Sequence, residues 1–235
     1  MLIVAAIILA IAVGILFYAR NAASHLRALK DVPTVSCSEV ESRASASSLV
    51  EVVGTAVPMG EVLTAPLSQQ PCVWHRVSVE ERYWQDNGSS ARTEETRTLS
   101  DTSSSQVFGV QDSTGVVAVD ANDASVDAAR ESHDEFERTG SNVSITIQNV
   151  TLGSQTIGVR TREWILEPGE ELFVSGQASV GNQGPRLEKP AKGRLVVSTR
   201  SEEELTVSAQ RKISLSYALS GVAALIAIAL FVISF

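Results

Sequence analysis

Two cysteines and three histidines are the side chains in this 235-residue sequence that are best suited to nucleophilic, redox or metal chemistry. Cys37 and Cys72 stand too far apart for a zinc-binding pair, whose two cysteines are separated by only a few residues. Cys72 and His75 lie in a run rich in valine, and a cysteine there behaves as a small buried side chain. We therefore interpret all three as structural residues, and the sequence leaves open whether the cysteines form a disulfide.

Acidic residues in the middle of the sequence suggest a cation site, but their spacing is wrong for one. The run Asp120-Ala121-Asn122-Asp123 lacks the glycine and the terminal glutamate of a calcium loop. We interpret it, like His133-Asp134-Glu135, as solvated surface. The sequence contains no nucleophile elbow, phosphate-binding loop or dinucleotide fingerprint. A Ser-His-Asp triad stays open, because its members need not be adjacent. We therefore predict no catalytic, cofactor-binding or metal-binding residue, and a protein that is not an enzyme.

Both ends of the chain are long runs without charge, and every charged residue lies between them. A membrane-spanning helix needs about 20 apolar residues, which residues 1–19 and 213–235 each approach or exceed. No Lys or Arg precedes residue 20, which disfavours a cleaved signal peptide, because such a peptide begins with a basic segment. The sequence predicts transmembrane helices over 1–19 and 213–235, a juxtamembrane helix and linker over 20–48, and a β-rich domain over 49–208.

Basic residues stand only on the inner side of each hydrophobic run, the side that normally faces the cytoplasm. These membrane-flanking residues are Arg20, Arg27, Lys30, Arg211 and Lys212. The pattern predicts a two-pass protein of the cell membrane with its central domain in the cytoplasm, where cysteines stay reduced. The net charge of −8 argues against nucleic acid as a partner, since a nucleic-acid binder needs a basic surface.

The central segment has the alternation that is typical of short β-strands. In the run Val73–Val79, His75 shares one face with the valines, and Trp74 and Arg76 share the other. The pattern favours a β-rich, barrel- or sandwich-like, mainly antiparallel domain with a short helix. The predicted strands are Leu49–Val57, Cys72–Trp84, Ser105–Val110, Val116–Val119, Asn142–Leu152, Gln155–Leu166, Glu171–Val180 and Arg194–Thr199.

Capping and turn residues mark the connections between these elements. Ser36 and Glu39 have the spacing of a capping box, which predicts a short helix. The pair Pro168-Gly169 predicts a type II turn. Asp112–Gly115 is a second turn between two short strands. The polar segments Trp84–Thr98 and Asn122–Glu137 are interpreted as loops, the second with one helical turn.

Several phrases of the sequence, taken in this order, resemble the GIDE domain. They are Val50–Val57, Ala65–Leu67, Pro71–Val77, Phe108–Gly115 and Glu167–Gly176, followed by a terminal hydrophobic helix. The family-motif residues among them are Gly54, Pro66, Pro71, Cys72, Arg76, Asp112, Gly115, Pro168, Gly169 and Gly176. The resemblance implies a β domain that lies beside a membrane, as in a mitochondrial E3 ubiquitin ligase and in bacterial and archaeal proteins.

The resemblance further implies that the activity of that ligase depends on a RING finger. A RING binds two zinc ions through about eight Cys and His ligands. These 235 residues contain two Cys and three His, so we do not expect them to transfer ubiquitin by themselves.

Three functional hypotheses remain. The first is a non-enzymatic interaction module, anchored in the lipid bilayer, that docks a membrane or cytoplasmic protein or a lipid. The second is an E3 ubiquitin ligase-like protein that acts through recruited partners. The third is an assembly protein of the membrane envelope, in which small residues of the two hydrophobic runs pack helices within one chain or between copies.

Overall fold

The computed structural model describes residues 10–11, 13–17, 20, 32–86, 92–122, 124–138, 146–147, 150–151, 155–182, 184–200, 214–223 and 226. The chain divides into two compact units. One comprises Met1–Pro33 together with Arg200–Phe235, and the other is Thr34–Thr199.

The first unit contains the two hydrophobic runs. Residues 13–17 and 214–223 are helical, and in the described part of the chain no helix is both long enough and apolar enough to cross a membrane. Most of both predicted transmembrane segments lies outside the described residues, as do Arg27, Lys30, Arg211 and Lys212. Arg20 is exposed. The transmembrane helices and the topology therefore stay predictions.

In the described part of the second unit the regular secondary structure is almost entirely β-strand, which confirms the β-rich prediction. It begins with a 3-10 turn, Cys37–Glu39, and a short helix α1, Val40–Ala44. The strands are β1 (Leu49–Pro58), β2 (Leu63–Thr64), β3 (Pro71–Cys72), β4 (Trp74–Asp86), β5 (Arg92–Ser103), β6 (Phe108–Gln111), β7 (Val116–Val119), β8 (Ser125–Asp127), β9 (Arg130–Arg138), β10 (Thr146–Ile147), β11 (Val150–Thr151), β12 (Thr156–Leu166), β13 (Glu171–Gly181), β14 (Gly184–Glu188) and β15 (Val196–Ser198).

Five strands form a closed barrel. The order is β1-β6-β7-β14-β13, and β13 pairs back onto β1 along Leu49–Thr55. All the pairings in the ring are antiparallel except β7 with β14. β15 pairs with β13, and β8 pairs in parallel with β15, so that β8 is the last strand of this sheet. The barrel interior is filled by apolar side chains with almost no solvent exposure, among them Val50, Val52, Phe108, Val110, Val117, Leu172, Val174, Leu187 and Leu195.

A second antiparallel sheet has the order β5-β4-β12-β9. Its two faces follow the alternation of β4. One face carries the small cluster Val77, Val79 and Val159. The other carries Trp74 and Arg76, and Trp164 is paired beside Arg76 on β12. Trp74 also belongs to the barrel core, so the start of β4 is the place where the second sheet meets the barrel.

Capping and turn chemistry behave as predicted. The backbone N–H of Ser36 donates to the Glu39 carboxylate at 2.9 Å, as in a capping box. Gly169 has φ +85°, the value that the third position of a type II turn requires, and the Glu170 N–H donates to the Glu167 carbonyl at 3.3 Å. The Asp112 N–H likewise donates to the Gly115 carbonyl at 3.1 Å, which closes the β6–β7 turn.

The interpretation of two polar segments as loops is wrong for most of their described residues. In the predicted loop Trp84–Thr98, residues 84–86 and 92–98 form the end of β4 and most of β5, and residues 87–91 lie outside the described part of the chain. Residues predicted as the acidic loop Asn122–Glu137 form β8 and most of β9, with no helical turn in the described part. Both are strands whose charges pair with charges on the neighbouring strand, as Arg82 does with Glu94 at 3.3 Å and Arg160 with Asp134 at 2.5 Å. Such strands lack the apolar alternation that sequence reasoning depends on.

The other predicted strands begin and end within three residues of the observed ones, with Pro71–Cys72 separated from β4 as a strand of its own. The predicted strand Asn142–Leu152 lies mostly outside the described residues, and the two short segments described within it, β10 and β11, pair with each other.

A candidate binding cleft between the two sheets

A cleft lies where the β4–β12 face meets the outer strand β8. Its larger part has a volume of about 390 Å³ and its smaller part about 210 Å³. Trp74, Arg76 and Val126 line both parts, so the two form one continuous feature. The remaining lining residues are Asp101, Ser103, Ala124, Ser125 and Arg194 in the larger part and Ala128, Ala129 and Trp164 in the smaller.

Trp74 supplies the most unusual group in this cleft. The residue is only 3% exposed, and its Nε1 has no hydrogen-bond partner among the described residues. A buried indole N–H ordinarily finds an acceptor, because leaving it unsatisfied costs about 1–3 kcal/mol. The described residues therefore leave this N–H, on a residue that lines the cleft, without an acceptor.

Arg76 forms one wall of the cleft and is held from two sides. Its Nε and one terminal nitrogen donate to the two Asp101 carboxylate oxygens at 2.7 and 2.5 Å. Its guanidinium carbon lies 5.6 Å from the centre of the Trp164 ring, a cation–π distance. The hydrogen bond from Arg76 lowers the pKa of Asp101, and the same bond raises the pKa of Arg76. Both groups are charged at neutral pH and neutralise each other.

Trp164 is fixed by a second arginine. The Arg162 guanidinium carbon lies 5.0 Å from the Trp164 ring centre, and Arg162 donates to Glu80 at 2.7 Å. Cross-strand pairs of this kind immobilise long side chains, so the Trp164 ring is a preformed wall.

Arg194 differs from these arginines. It is exposed, it precedes the buried Leu195, and among the described residues it has no ion pair or hydrogen bond. Because Arg76 and Asp101 cancel, Arg194 gives the described lining residues of the cleft one excess positive charge. The arrangement suits a ligand with an anionic group and a hydrogen-bond acceptor.

Cys72 and His75, the residues with nucleophilic potential in the sequence, are not arranged for catalysis. The Cys72 Sγ lies 4.0 Å from His75 Nδ1, and Cys72 is completely buried. Burial, with a contribution from the charge of Glu163, raises the pKa of the Cys72 thiol to about 11. Burial also lowers the pKa of His75, against the opposing effect of Glu163. At neutral pH this pair is a thiol beside a neutral imidazole, whereas a nucleophilic cysteine needs a thiolate.

Glu163 is the centre of a buried polar network next to this pair. Its carboxylate accepts hydrogen bonds from the Leu67 N–H at 2.7 Å, from Ser68 Oγ at 2.5 Å and from Ser132 Oγ at 2.6 Å. Burial by itself raises the pKa of Glu163, but hydrogen bonds from Ser132 and Ser68 outweigh it and the pKa is lowered. The network joins the loop after β2, strand β9 and strand β12, which is a structural role.

The family-motif residues are mostly structural and lie away from the cleft. The Asp112 carboxylate accepts the Cys37 N–H at 2.8 Å and the Gly115 N–H at 3.1 Å, which holds the 3-10 turn against the β6–β7 turn. Both cysteines are free and buried. Gly54 and Gly176 lie where neighbouring segments pack closely. Pro66 lies in the loop between β2 and β3, Pro71 is the first residue of β3, and Pro168 and Gly169 form the turn before β13. Of this set only Arg76 lines the cleft.

Sequence reasoning missed most of the cleft. The alternation of β4 placed Trp74 and Arg76 on one face, but nothing local indicated that Asp101 and Arg194 would join them. The described residues contain no group of three His, Cys, Asp or Glu side chains that could hold a metal ion.

Comparison with known proteins gives one match. A family model named GIDE and described as an E3 ubiquitin ligase matches residues 77–233, about two thirds of the chain. The matched span includes Asp101, Trp164 and Arg194 and begins just after Arg76. No curated protein and no solved structure matches the chain.

Proposed function

The chain belongs to the GIDE family, and we propose that it is a membrane-anchored interaction module that acts by binding, with the cleft between its two sheets as the binding site. The uncharged runs 1–19 and 213–235 support the anchoring. Attachment of both ends to a bilayer would raise the effective concentration of the β domain near other membrane components.

The observation that carries the proposal is the combination of Trp74 and Arg194. One supplies a buried N–H with no acceptor, and the other an exposed cation with no anion among the described residues. Both line the cleft, whose walls combine tryptophan rings with charged and hydroxyl side chains, and convergent polar groups of this kind are a usual feature of a ligand site. Cys72, which offers covalent chemistry, is buried outside this cleft, and its raised pKa keeps it a thiol at neutral pH.

A second candidate function follows from the family description, which names E3 ubiquitin ligases. In this reading the chain supports ubiquitin transfer through a recruited partner. Two Cys and three His are too few for the zinc ligands of a RING, so the catalytic module would have to come from elsewhere.

A reconstituted transfer assay tests whether the chain promotes ubiquitin transfer without a further partner. The purified chain in nanodiscs is incubated with ubiquitin, ATP, an activating enzyme and a panel of conjugating enzymes. We expect no ubiquitin discharge above that of empty nanodiscs. Discharge that depends on the chain would contradict the binding function and favour the ligase.

Membrane attachment has a separate test. Membranes from cells that produce the chain are washed with alkaline carbonate, which strips peripheral proteins. We expect the chain to stay in the membrane pellet, whereas its release into the supernatant would overturn the anchoring.

A further inference from the structure

We propose that the cleft binds an extended, acidic peptide segment of a partner protein, which adds as a strand to the free edge of β8. This inference rests on the binding function proposed above and specifies the class of partner. It assigns the segment three contacts: backbone pairing at Val126, an acceptor for the Trp74 N–H, and an acidic side chain at Arg194.

The first step of the argument is the free edge of β8. Its partner β15 lies on one side, and β8 ends the strand order of the sheet. The Ser125 N–H donates to the Leu195 carbonyl at 2.8 Å, and the Thr199 N–H donates to the Asp127 carbonyl. In a parallel ladder alternate residues bind the same neighbour, so the backbone N–H and C=O of Val126 point away from β15. An unpaired edge of this kind is a template for an added strand.

The second step is the position of that edge. Val126 lines both parts of the cleft, together with Trp74. A strand laid along β8 would therefore lie beside the indole ring. An extended peptide has a carbonyl oxygen at every residue, which is the acceptor that the buried Trp74 N–H lacks.

The third step is charge. Arg76 already binds Asp101 through two hydrogen bonds, so the pair has no net charge with which to attract a ligand. Arg194 lines the same cleft with no counter-charge among the described residues. A carboxylate accepts two parallel hydrogen bonds from a guanidinium, which makes Asp or Glu the side chain that fits.

The dimensions agree with a short segment. The larger part of the cleft, about 390 Å³, lies in the range of small-ligand sites, and the smaller part of about 210 Å³ adds to it, which accommodates a few residues of extended chain. A lipid headgroup could satisfy Arg194, but it offers no alternating N–H and C=O for Val126. The free strand edge therefore favours a peptide over a lipid.

The test is a selection of peptides on the full chain. A phage library of random heptapeptides is selected on the chain in nanodiscs, with empty nanodiscs for counter-selection. We expect enriched peptides to contain Asp or Glu, and Arg194→Gln to weaken their binding about tenfold, as for a lost charge-assisted hydrogen bond. Arg92→Gln is the matched control, because Arg92 is an exposed arginine bound to Asp86 on the β4–β5 hairpin, and it should leave binding unchanged.

The Trp74→Phe variant allows the predicted hydrogen bond from the Trp74 indole N–H to be tested separately. The chain has three tryptophans, so a ¹⁵N spectrum of the nanodisc sample contains three indole signals at most, and Trp74→Phe identifies one of them. We expect that signal to move downfield when a selected peptide binds, since its proton gains an acceptor. The proposal would be overturned if the enriched peptides bind the native chain and Arg194→Gln with the same affinity, and if their binding leaves the Trp74 indole signal unshifted.

Two further outcomes also decide against it. One is the absence of any enrichment over empty nanodiscs. The other is Arg194-dependent binding of soluble dihexanoyl phosphatidylglycerol with no peptide selected, which would show that the cleft holds a lipid headgroup. Either result leaves the membrane attachment and the absence of ubiquitin transfer untouched, so failure of this inference is distinguishable from failure of the proposed function.

Discussion

At the scale of single residues, buried carboxylates organise the β domain. Glu163 has no solvent exposure, yet its oxygens accept hydrogen bonds from Ser68, Ser132 and the Leu67 backbone. A buried charge is tolerated only when its acceptor sites are filled in this way. The role of Glu163 is therefore to fix a loop and two strands in place.

We expect Glu163→Gln to destabilise the domain by about 2 kcal/mol, because one oxygen is replaced by an NH₂ group that faces hydrogen-bond donors. The measurement is urea-induced unfolding of the detergent-solubilised chain, followed by tryptophan fluorescence. Glu95→Gln is the control, since Glu95 is exposed on β5 and its change should stay within about 0.5 kcal/mol. Equal unfolding midpoints for the two variants would refute the role of Glu163.

Asp112 makes the stability depend on pH. Burial raises its pKa, but hydrogen bonds from Thr114 and from Cys37 outweigh burial and hold the pKa well below its ordinary value. A carboxylate with a lowered folded-state pKa stabilises the fold above its unfolded pKa of about 3.9, and this contribution disappears as the pH falls towards the folded value. The stability gap between the native chain and Asp112→Asn should thus be largest near neutral pH and should shrink below about pH 4.

Unfolding midpoints of both proteins at neutral and acidic pH measure that gap. A gap that stays constant or widens on acidification would show that the Asp112 carboxylate is not the stabilising form.

Predictions for single residues succeeded where neighbouring residues in the sequence determine the conformation. The Ser36–Glu39 cap and the φ of Gly169 depend on neighbouring residues, and both were predicted. The surroundings of the Trp74 N–H and of the Arg194 guanidinium, which the described residues leave without an acceptor and without an anion, depend on which distant residues come near. No pattern in the sequence contains that information, so the cleft could not be predicted.

At the scale of elements, apolar alternation located β1, β4, β7, β12 and β13, because each buries at least one face. It did not locate β5, which is exposed along most of its length. That strand is held by pairing with β4 and by charge pairs such as Arg97 with Glu81 at 2.5 Å. Closure of the barrel could not be predicted from local patterns either, because the strands that close it, β1 and β13, are far apart in the sequence.

Gly54 tests how tightly the barrel strands pack. A Cβ at this position would collide with the backbone carbonyl of Gln111 on the neighbouring strand β6, which cannot move aside cheaply. We expect Gly54→Ala to destabilise the domain by about 1–3 kcal/mol. Gly60→Ala is the matched control, because its Cβ would meet nothing closer than 3.9 Å. Thermal unfolding by circular dichroism compares them, and similar melting temperatures would contradict the close approach of β1 and β6.

At the scale of the whole molecule, the chain combines a compact β unit, Thr34–Thr199, with two hydrophobic ends that group as a separate unit. The function proposed for it needs both parts. In this proposal the cleft would supply recognition, and the hydrophobic ends would supply a position beside the bilayer, where a weak binding site gains from a high local concentration of partners.

The central claim is that a binding domain is held at the membrane on its cytoplasmic side. Thr96→Cys places one reactive thiol on the exposed strand β5, while Cys37 and Cys72 are buried and serve as an internal background in the native chain. Intact and lysed cells are treated with a membrane-impermeant maleimide, and membranes are then collected. We predict labelled chain in the membrane fraction only after lysis. Labelling of intact cells, or recovery of the chain in the soluble fraction, would contradict the account.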